Sequence, residues 1–475
     1  MKLRAFVYLL FYLNIAIGHE LLAQEWHGIV HSNYAGNLGL YLNPSQAVGS
    51  PFKSEWNLIA GDFFFDNNYL YARNFASLIG TTPTNANGES EKKFLDYYSP
   101  GLQYGYINNY IIGPGYLSNN KNRILGIQLA WRNTASVNNI PHHVAKAFYS
   151  KFDYRPQHGT FYKDSRFNFA AYSALQLNLS YGHVYKENLD HWMSWAITLK
   201  PMIATSGGYG DISVGDYVVP DSSTLIVNNA DLDYAHAAPD NPDNFAGSFF
   251  AIRGVGFGLD AGITYIRDRR RVAYDCDKTA DKRKKYKYKM GLSLIDLGYL
   301  YFFNDAERLR VNNAGFNWPL IDTIEFRSFS YIDGQISNRF FGNSTQSKYG
   351  DRFGMHLPAT ASIQFDYCIA AQFYINLSIQ QRLAYSRKQV WHSNNIALVP
   401  RWERRSIEIA IPIMLHEYNN MAVGAAIRLG PLVLGTDRLL SFTGGEVNAF
   451  DFFFGIKLNS CFFAGSKYNT GECPY

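Results

Sequence analysis

Val255-Gly256-Phe257-Gly258-Leu259-Asp260-Ala261-Gly262-Ile263 alternates apolar residues with glycines and a single aspartate. A strand sends successive side chains to opposite faces, so Val255, Phe257, Leu259, Ala261 and Ile263 share one face and Asp260 lies on the other. The same period of two recurs along the chain. Leu175, Leu177, Leu179 and Tyr181 stand against Gln176, Asn178 and Ser180, and Phe373, Ile375, Leu377 and Ile379 against Tyr374, Asn376, Ser378 and Gln380. Near the end, Phe450, Phe452, Phe454, Ile456 and Leu458 alternate with Asp451, Gly455, Lys457 and Asn459. A soluble sandwich shows such alternation too.

The connections separate the two. Outer-membrane barrels pair short periplasmic turns with long external loops. Alternation predicts strands near 54–66, 101–116, 122–132, 168–184, 190–204, 250–266, 286–300, 358–367, 371–385, 394–402, 405–415, 420–429, 432–437 and 447–460. The links at 119–120, 186–189, 369–370, 403–404 and 430–431 are short, whereas 67–100, 133–167, 205–249 and 301–357 are long. Short and long alternate, apart from a longer basic turn at 267–285. The expected fold is all-β: a transmembrane antiparallel β-barrel of about 14 strands over residues 51–475, with long external loops.

Residues 1–23 read as a secretory signal, with Lys2 and Arg4 ahead of an apolar stretch and Leu21-Leu22-Ala23 before a cut at Gln24. No cysteine follows that stretch, which speaks against a lipoprotein anchor. Residues 24–50 carry Gly28, Gly36, Gly39, Pro44 and Gly49, too many breakers for a long helix or regular strand. They are expected to fold back into the lumen as an N-terminal plug, with Leu40 and Leu42 against its wall. Past the signal, no run of about 18 uncharged apolar residues marks a spanning helix.

The 35 Tyr and 34 Phe sit beside a mean hydropathy of -0.20. A barrel gives this mixture, because polar lumen residues offset lipid-facing apolar ones and aromatic girdles lie at both interfaces. A net charge of +5 does not imply nucleic acid as a partner. Outer-membrane lipid is the expected surrounding.

Ser32-Asn33-Tyr34-Ala35-Gly36 with Leu42-Asn43-Pro44-Ser45, Tyr286 to Leu297, Pro400 to Pro412 and Arg428 to Asp437 together resemble an uncharacterised Bacteroidota family of outer-membrane barrels, a domain of unknown function. More distantly the chain is similar to the long-chain fatty-acid transporters and the barrel shuttle of type IX secretion, in which an Asn-Pro-Ala motif lies in the N-terminal plug. Here the match is Asn43-Pro44-Ser45, and the resemblance implies a plug or gate there.

Asp260, Asp366, Arg428, Asp451 and Lys457 share the polar parity and are expected in the lumen, as a polar conduit or as a structural ion-pair lattice. Residues 267–289 hold 11 Lys and Arg against 4 Asp, which suits lipid headgroups, an acidic outer-membrane or periplasmic protein docking on the 267–285 turn, or plain solvation. Thr205 to Ser248 is the reverse, with seven Asp and no Lys or Arg, but its spacing fits no calcium loop. Of four cysteines, Cys461 and Cys473 are close enough to pair in an oxidising compartment.

No zinc spacing exists, and His142-His143 lacks a nearby acidic or thiol ligand in sequence. No cofactor and no metal is expected. No Ser/His pair stands at an informative spacing, so an enzyme is not expected. Two functions fit: a channel or transporter for a small molecule, hydrophobic ones included, or a non-transporting scaffold in an outer-membrane export or assembly machine.

Overall fold

The computed structural model describes residues 26–80, 92–120, 122–188, 190–239, 251–268, 285–323 and 327–460. The signal segment, Cys461, Cys473 and most of the basic turn lie outside the described residues. Strands run in chain order as β1 (Ser54–Asn67), β2 (Leu102–Asn120), β3 (Arg123–Pro141), β4 (Phe161–Glu187), β5 (His191–Asp221), β6 (Thr224–Ala237), β7 (Gly254–Arg267), β8 (Tyr288–Phe302) and β9 (Ala306–Pro319). They continue as β10 (Thr360–Ala370), β11 (Phe373–Arg382), β12 (Asn395–Glu403), β13 (Ile407–Ala410), β14 (Ile413–His416), β15 (Asn420–Val423), β16 (Ala425–Leu429), β17 (Leu432–Thr436) and β18 (Ala449–Asn459).

Apart from β6 and β9, each stave pairs antiparallel with the next along the chain, and β18 closes on β1 with Ala60 opposite Gly455. The result is a closed antiparallel barrel of 14 staves. Two staves are each made of two pieces, β13 with β14 and β15 with β16. Pro412 has no N–H for the ladder, so pairing lapses there, and Gly424 on the adjacent stave donates its N–H to the Pro412 carbonyl at 2.7 Å.

Alternation sets the two faces of the wall. On β10, Ser362, Gln364 and Asp366 are buried while Ile363, Phe365 and Tyr367 are exposed. The outward residues of most staves form a continuous belt that includes Leu125, Ile127, Leu199, Leu292, Leu377, Ile409 and Leu434. Aromatic rings border it at both ends: Trp56 packs on Tyr116 (4.5 Å) and Tyr181 on Trp195 at one, while Tyr299, Tyr301 and Phe303 are exposed at the other. A contiguous apolar band this large on a monomer marks contact with lipid or protein rather than water. Among the described residues no helix is long and apolar enough to cross a membrane.

The segments 205–249 and 301–357, expected as loops, instead carry strands. β5 runs on past the ring to Asp221 and pairs with β6, which pairs with β9, forming a blade at the long-loop end. Both faces of β6 and β9 mix polar and apolar residues, so period two is blurred in the sequence. A small cluster of Phe167, Tyr217, Val219 and Val227 supports the blade. The helix Phe329–Phe341 packs on it through Phe340 and Phe316.

Asp233 ties the blade together. It accepts from Tyr209 (2.9 Å) and pairs with Arg308 (3.0 Å), Arg310 (3.3 Å) and Lys388 (2.9 Å). Burial raises its carboxyl, but the bonds from Arg308, Lys388 and Tyr209 outweigh that and hold it well below the usual carboxylate range. A depressed carboxylate contributes stability that is present above its unfolded pKa and is lost as pH falls through the folded one. Hydrogen-exchange protection of β6 and β9 should therefore be flat from neutral pH down to about 4 and fall only below that. Asp233→Asn should lower the protection at neutral pH. Loss of protection beginning near pH 6 in the unsubstituted protein would contradict this account.

Candidate functional site

The barrel's inward face meets the N-terminal segment, residues 26–50. Its short helix His27–Val30 touches β12, β13 and β16, while the 3-10 turn Pro44–Gly49 touches β4, β5 and β7. These staves lie on different sides of the ring. A chain that meets their inward faces together lies within it.

The local fold follows from Asn43-Pro44-Ser45. Pro44 cannot continue a ladder but is preorganised for the first position of a turn. Asn43 takes extended backbone (φ -154°) and caps that turn, its Oδ1 accepting from the Ser45 N–H at 3.0 Å and the Ser45 hydroxyl at 2.7 Å. The wall reads the same two side chains. Asn43 Nδ2 donates to Gln364 Oε1 at 2.9 Å, and Thr264 Oγ1 lies 2.6 Å from Ser45 Oγ. Ser293 donates to the Leu42 carbonyl at 2.7 Å. Only glycine fits behind Asn43: a Cβ at Gly262 would sit 2.1 Å from Asn43 Oδ1.

The segment's apolar side rests elsewhere. Trp26, Ile29, Val30, Leu38 and Leu42 share one buried cluster with Ala397, Val399, Met414, Ala426, Val433 and Phe453. Trp26 stacks on Phe453 with ring centres 5.4 Å apart. Leu40 and Val48 pack into a second cluster with Leu117, Ile124, Val184 and Trp192.

Charges flank the segment in two groups. At the short-turn end Asp366 binds Arg401 (2.6 Å) and accepts from Tyr286 (2.7 Å), with Lys289 3.6 Å away. Arg428 pairs with Glu408 (3.1 Å), which accepts from Ser32 (2.7 Å), and Glu403 accepts from the Asn33 amide side chain. Lys457 donates to the Ala35 carbonyl at 2.7 Å. Farther up the wall, toward the long-loop end, Asp451 accepts from the Asp437 N–H at 2.6 Å. Asp437 in turn accepts from the His27 N–H at 3.1 Å.

The second group lies on the long-loop side. Lys200 bridges Asp260 (2.6 Å) and Asp296 (2.7 Å), and Arg132 binds Asp296 at 2.6 Å. Asp296 reaches this cluster because β8 bulges between Leu294 and Leu297, leaving it at φ 57°, a conformation aspartate tolerates better than most residues. Here a cavity of about 60 Å³, room for a few waters, is bordered by Trp26, Tyr41, Tyr110, Arg132 and Asp296. The loop 383–394 folds over it: Trp391 N–H donates to Ser136 at 2.8 Å, and Lys388 ties the loop to Asp233 on the blade.

The structure thus places Asp260 beyond the segment and Asp366, Arg428, Asp451 and Lys457 beneath or beside it. Arg132, Lys200, Arg401, Glu403 and Glu408 were not singled out from the sequence, although all five sit on inward parity. Asp296 had no such signal, because its bulge breaks the period.

A family model described as a family of unknown function (DUF5723) matches residues 46–437. The chain belongs to this family. No curated protein matches this family member. Among solved structures it is similar to a mutant of TodX, described as a monoaromatic hydrocarbon channel, at 9% identity over 89% of this chain and 94% of that one, with a TM-score of 0.39. The Ralstonia pickettii toluene transporter TbuX matches at 5% identity over 90% and 94%, TM-score 0.37. A Pseudomonas aeruginosa FadL homologue matches at 8% over 87% and 91%, TM-score 0.27.

One group of potential metal ligands occurs among the family member's described residues, namely His236, Glu307 and Asp333 on the blade. Each is already engaged. His236 Nε2 and Tyr234 bond to Asp333 at 2.7 and 2.9 Å, and Glu307 pairs with Lys348 at 2.7 Å. His143, the other histidine considered, stacks on Tyr162 and bonds to Ser165.

Proposed function

We propose that this protein is an outer-membrane conduit for a small molecule, shut at rest by residues 26–50 acting as a plug, and not an enzyme. The outward apolar belt with aromatic borders suits a bilayer. The observation that carries the proposal is the segment seated against staves on different sides of the ring, with a small polar-lined cavity and an ion-paired vestibule beyond it.

Magnitudes decide how tightly it is shut. Fully burying a large apolar side chain is worth about 1.5–3 kcal/mol, and each 1.4 kcal/mol is about tenfold in population. Ile29 and Leu38 alone, both buried against the wall, favour the closed state by about 10²–10⁴ on those figures. Opening therefore needs a ligand or partner that competes for the plug's seat.

Gly262→Leu tests this reading in proteoliposomes. The new side chain must displace Asn43, loosening the Pro44–Gly49 turn while leaving the wall ladder intact. Small-solute swelling several-fold above that of the unsubstituted barrel is expected. An equally tight barrel, with Asn43 shown to have moved, would mean that the segment is not the barrier.

A further inference from the structure

Resting on the conduit reading, we infer that the molecule competing for the plug's seat is an uncharged amphiphile, with hydrogen-bonding groups along one side and an apolar face along the other. The seat is divided that way. Around β5, β7, β8, β10 and β11 the mid-lumen positions facing the plug are hydroxyls and amides: Ser194, Thr264, Ser293, Gln364 and Ser378. They bond to the plug's polar atoms, namely the Ser45 carbonyl (3.3 Å), Ser45 Oγ, the Leu42 carbonyl, Asn43 and His31 (3.3 Å) respectively. Lys289, nearer the short turns, reaches the His31 carbonyl at 3.4 Å while lying 3.6 Å from Asp366.

Around β12 to β18 the mid-lumen facing positions are Ala397, Val399, Met414, Ala426, Val433 and Phe453, covered by the plug's Trp26, Ile29, Val30 and Leu38, while the charged groups that touch the plug nearer the short turns, Glu403, Glu408 and Lys457, lie beside Arg401, Arg428 and Glu55. The two kinds of wall occupy separate, contiguous arcs. The plug is itself amphipathic and uncharged where it meets them.

Whatever replaces the plug inherits both demands. A pure hydrocarbon would cover the apolar arc but leave several buried hydroxyls and amides without partners, each at the cost of its lost hydration. A sugar with no apolar face would satisfy those groups and gain nothing from the Phe453 arc. A charged solute finds no counter-charge to spare in the vestibule, since Arg132 and Lys200 are already matched by Asp260 and Asp296. An aryl or alkyl glycoside has the required two faces.

The test uses proteoliposomes of the full chain carrying Gly262→Leu, and compares uptake of phenyl glucoside, of a disaccharide of similar size and of a phenyl glucuronide. The expected result is phenyl glucoside at least several-fold faster than either competitor. The preference should shrink when Ser194, Ser293 and Ser378 are changed to Ala, and separately when Phe453 is changed to Ser, in barrels that retain heat-resistant migration. Equal entry of all three probes would overturn the amphiphile assignment and leave the conduit standing. Entry of none of them would remove the conduit reading, and this inference with it.

Discussion

Deleting residues 28–48 converts a closed barrel into an open one, seen in planar bilayers as steady single-channel conductance where the full chain gives little or none. Strand number sets the expectation. Barrels of about 8 strands are filled by their own side chains, whereas those of about 16 to 18 leave an aqueous channel. A ring of 14 staves lies nearer the second group, and without the plug its mid-lumen wall is Ser, Thr, Gln, Ala and Val. The wall does not depend on the segment for its ladder, since β1 is bonded to β2 and β18 independently, so the truncated barrel should fold. A folded, truncated barrel that stays closed would assign the barrier to the loop 383–394.

Asp296→Ala is expected to be the most damaging single substitution in the wall. It leaves Arg132 without its carboxylate at 2.6 Å, and leaves Lys200 and Arg132 facing Asp260 alone. Stripping one partner from a buried ion pair costs about 3–5 kcal/mol, because the orphaned charge keeps its desolvation penalty. Removing both members should cost far less. Arg132→Met with Asp296→Leu leaves the Lys200–Asp260 pair balanced and should recover most of the lost stability. Denaturant midpoints of the reconstituted barrel check both values. Equal damage from the single and double variants would show that the cluster is held by packing rather than by charge balance.

The barrel wall was legible because period two survives wherever one face is the apolar outer surface and the other meets the lumen, as at Val255 to Ile263. The blade was not, because Asp231, Asp233 and their neighbours face water or one another on both sides. The lumen charges followed from parity where the strand was regular, at Asp260 or Arg428, and failed at Asp296, where a bulge shifts the register. The seat of the N-terminal segment had a signal that went unread. Val399, Met414, Val433 and Phe453 are apolar at positions where a water-filled lumen would carry polar groups, and Phe453 interrupts the series Asp451, Gly455, Lys457. Apolar residues on the lumen parity need something to cover them. The contacts of Asn43, by contrast, join residues more than two hundred positions apart and cannot be read from a turn motif.

The most direct test of the central claim is to lock the plug in place. Ser45 and Thr264 have their hydroxyls 2.6 Å apart, close enough for Ser45→Cys with Thr264→Cys to form a disulfide, and each single cysteine variant controls for the native thiols. Uptake of phenyl glucoside, offered as the competitor that opens the plug, is then measured in proteoliposomes with the bond oxidised and after reduction. Uptake abolished by oxidation and restored by reduction, only in the double variant, is the predicted result; uptake at the same rate in both states would show that solutes cross without moving residues 26–50.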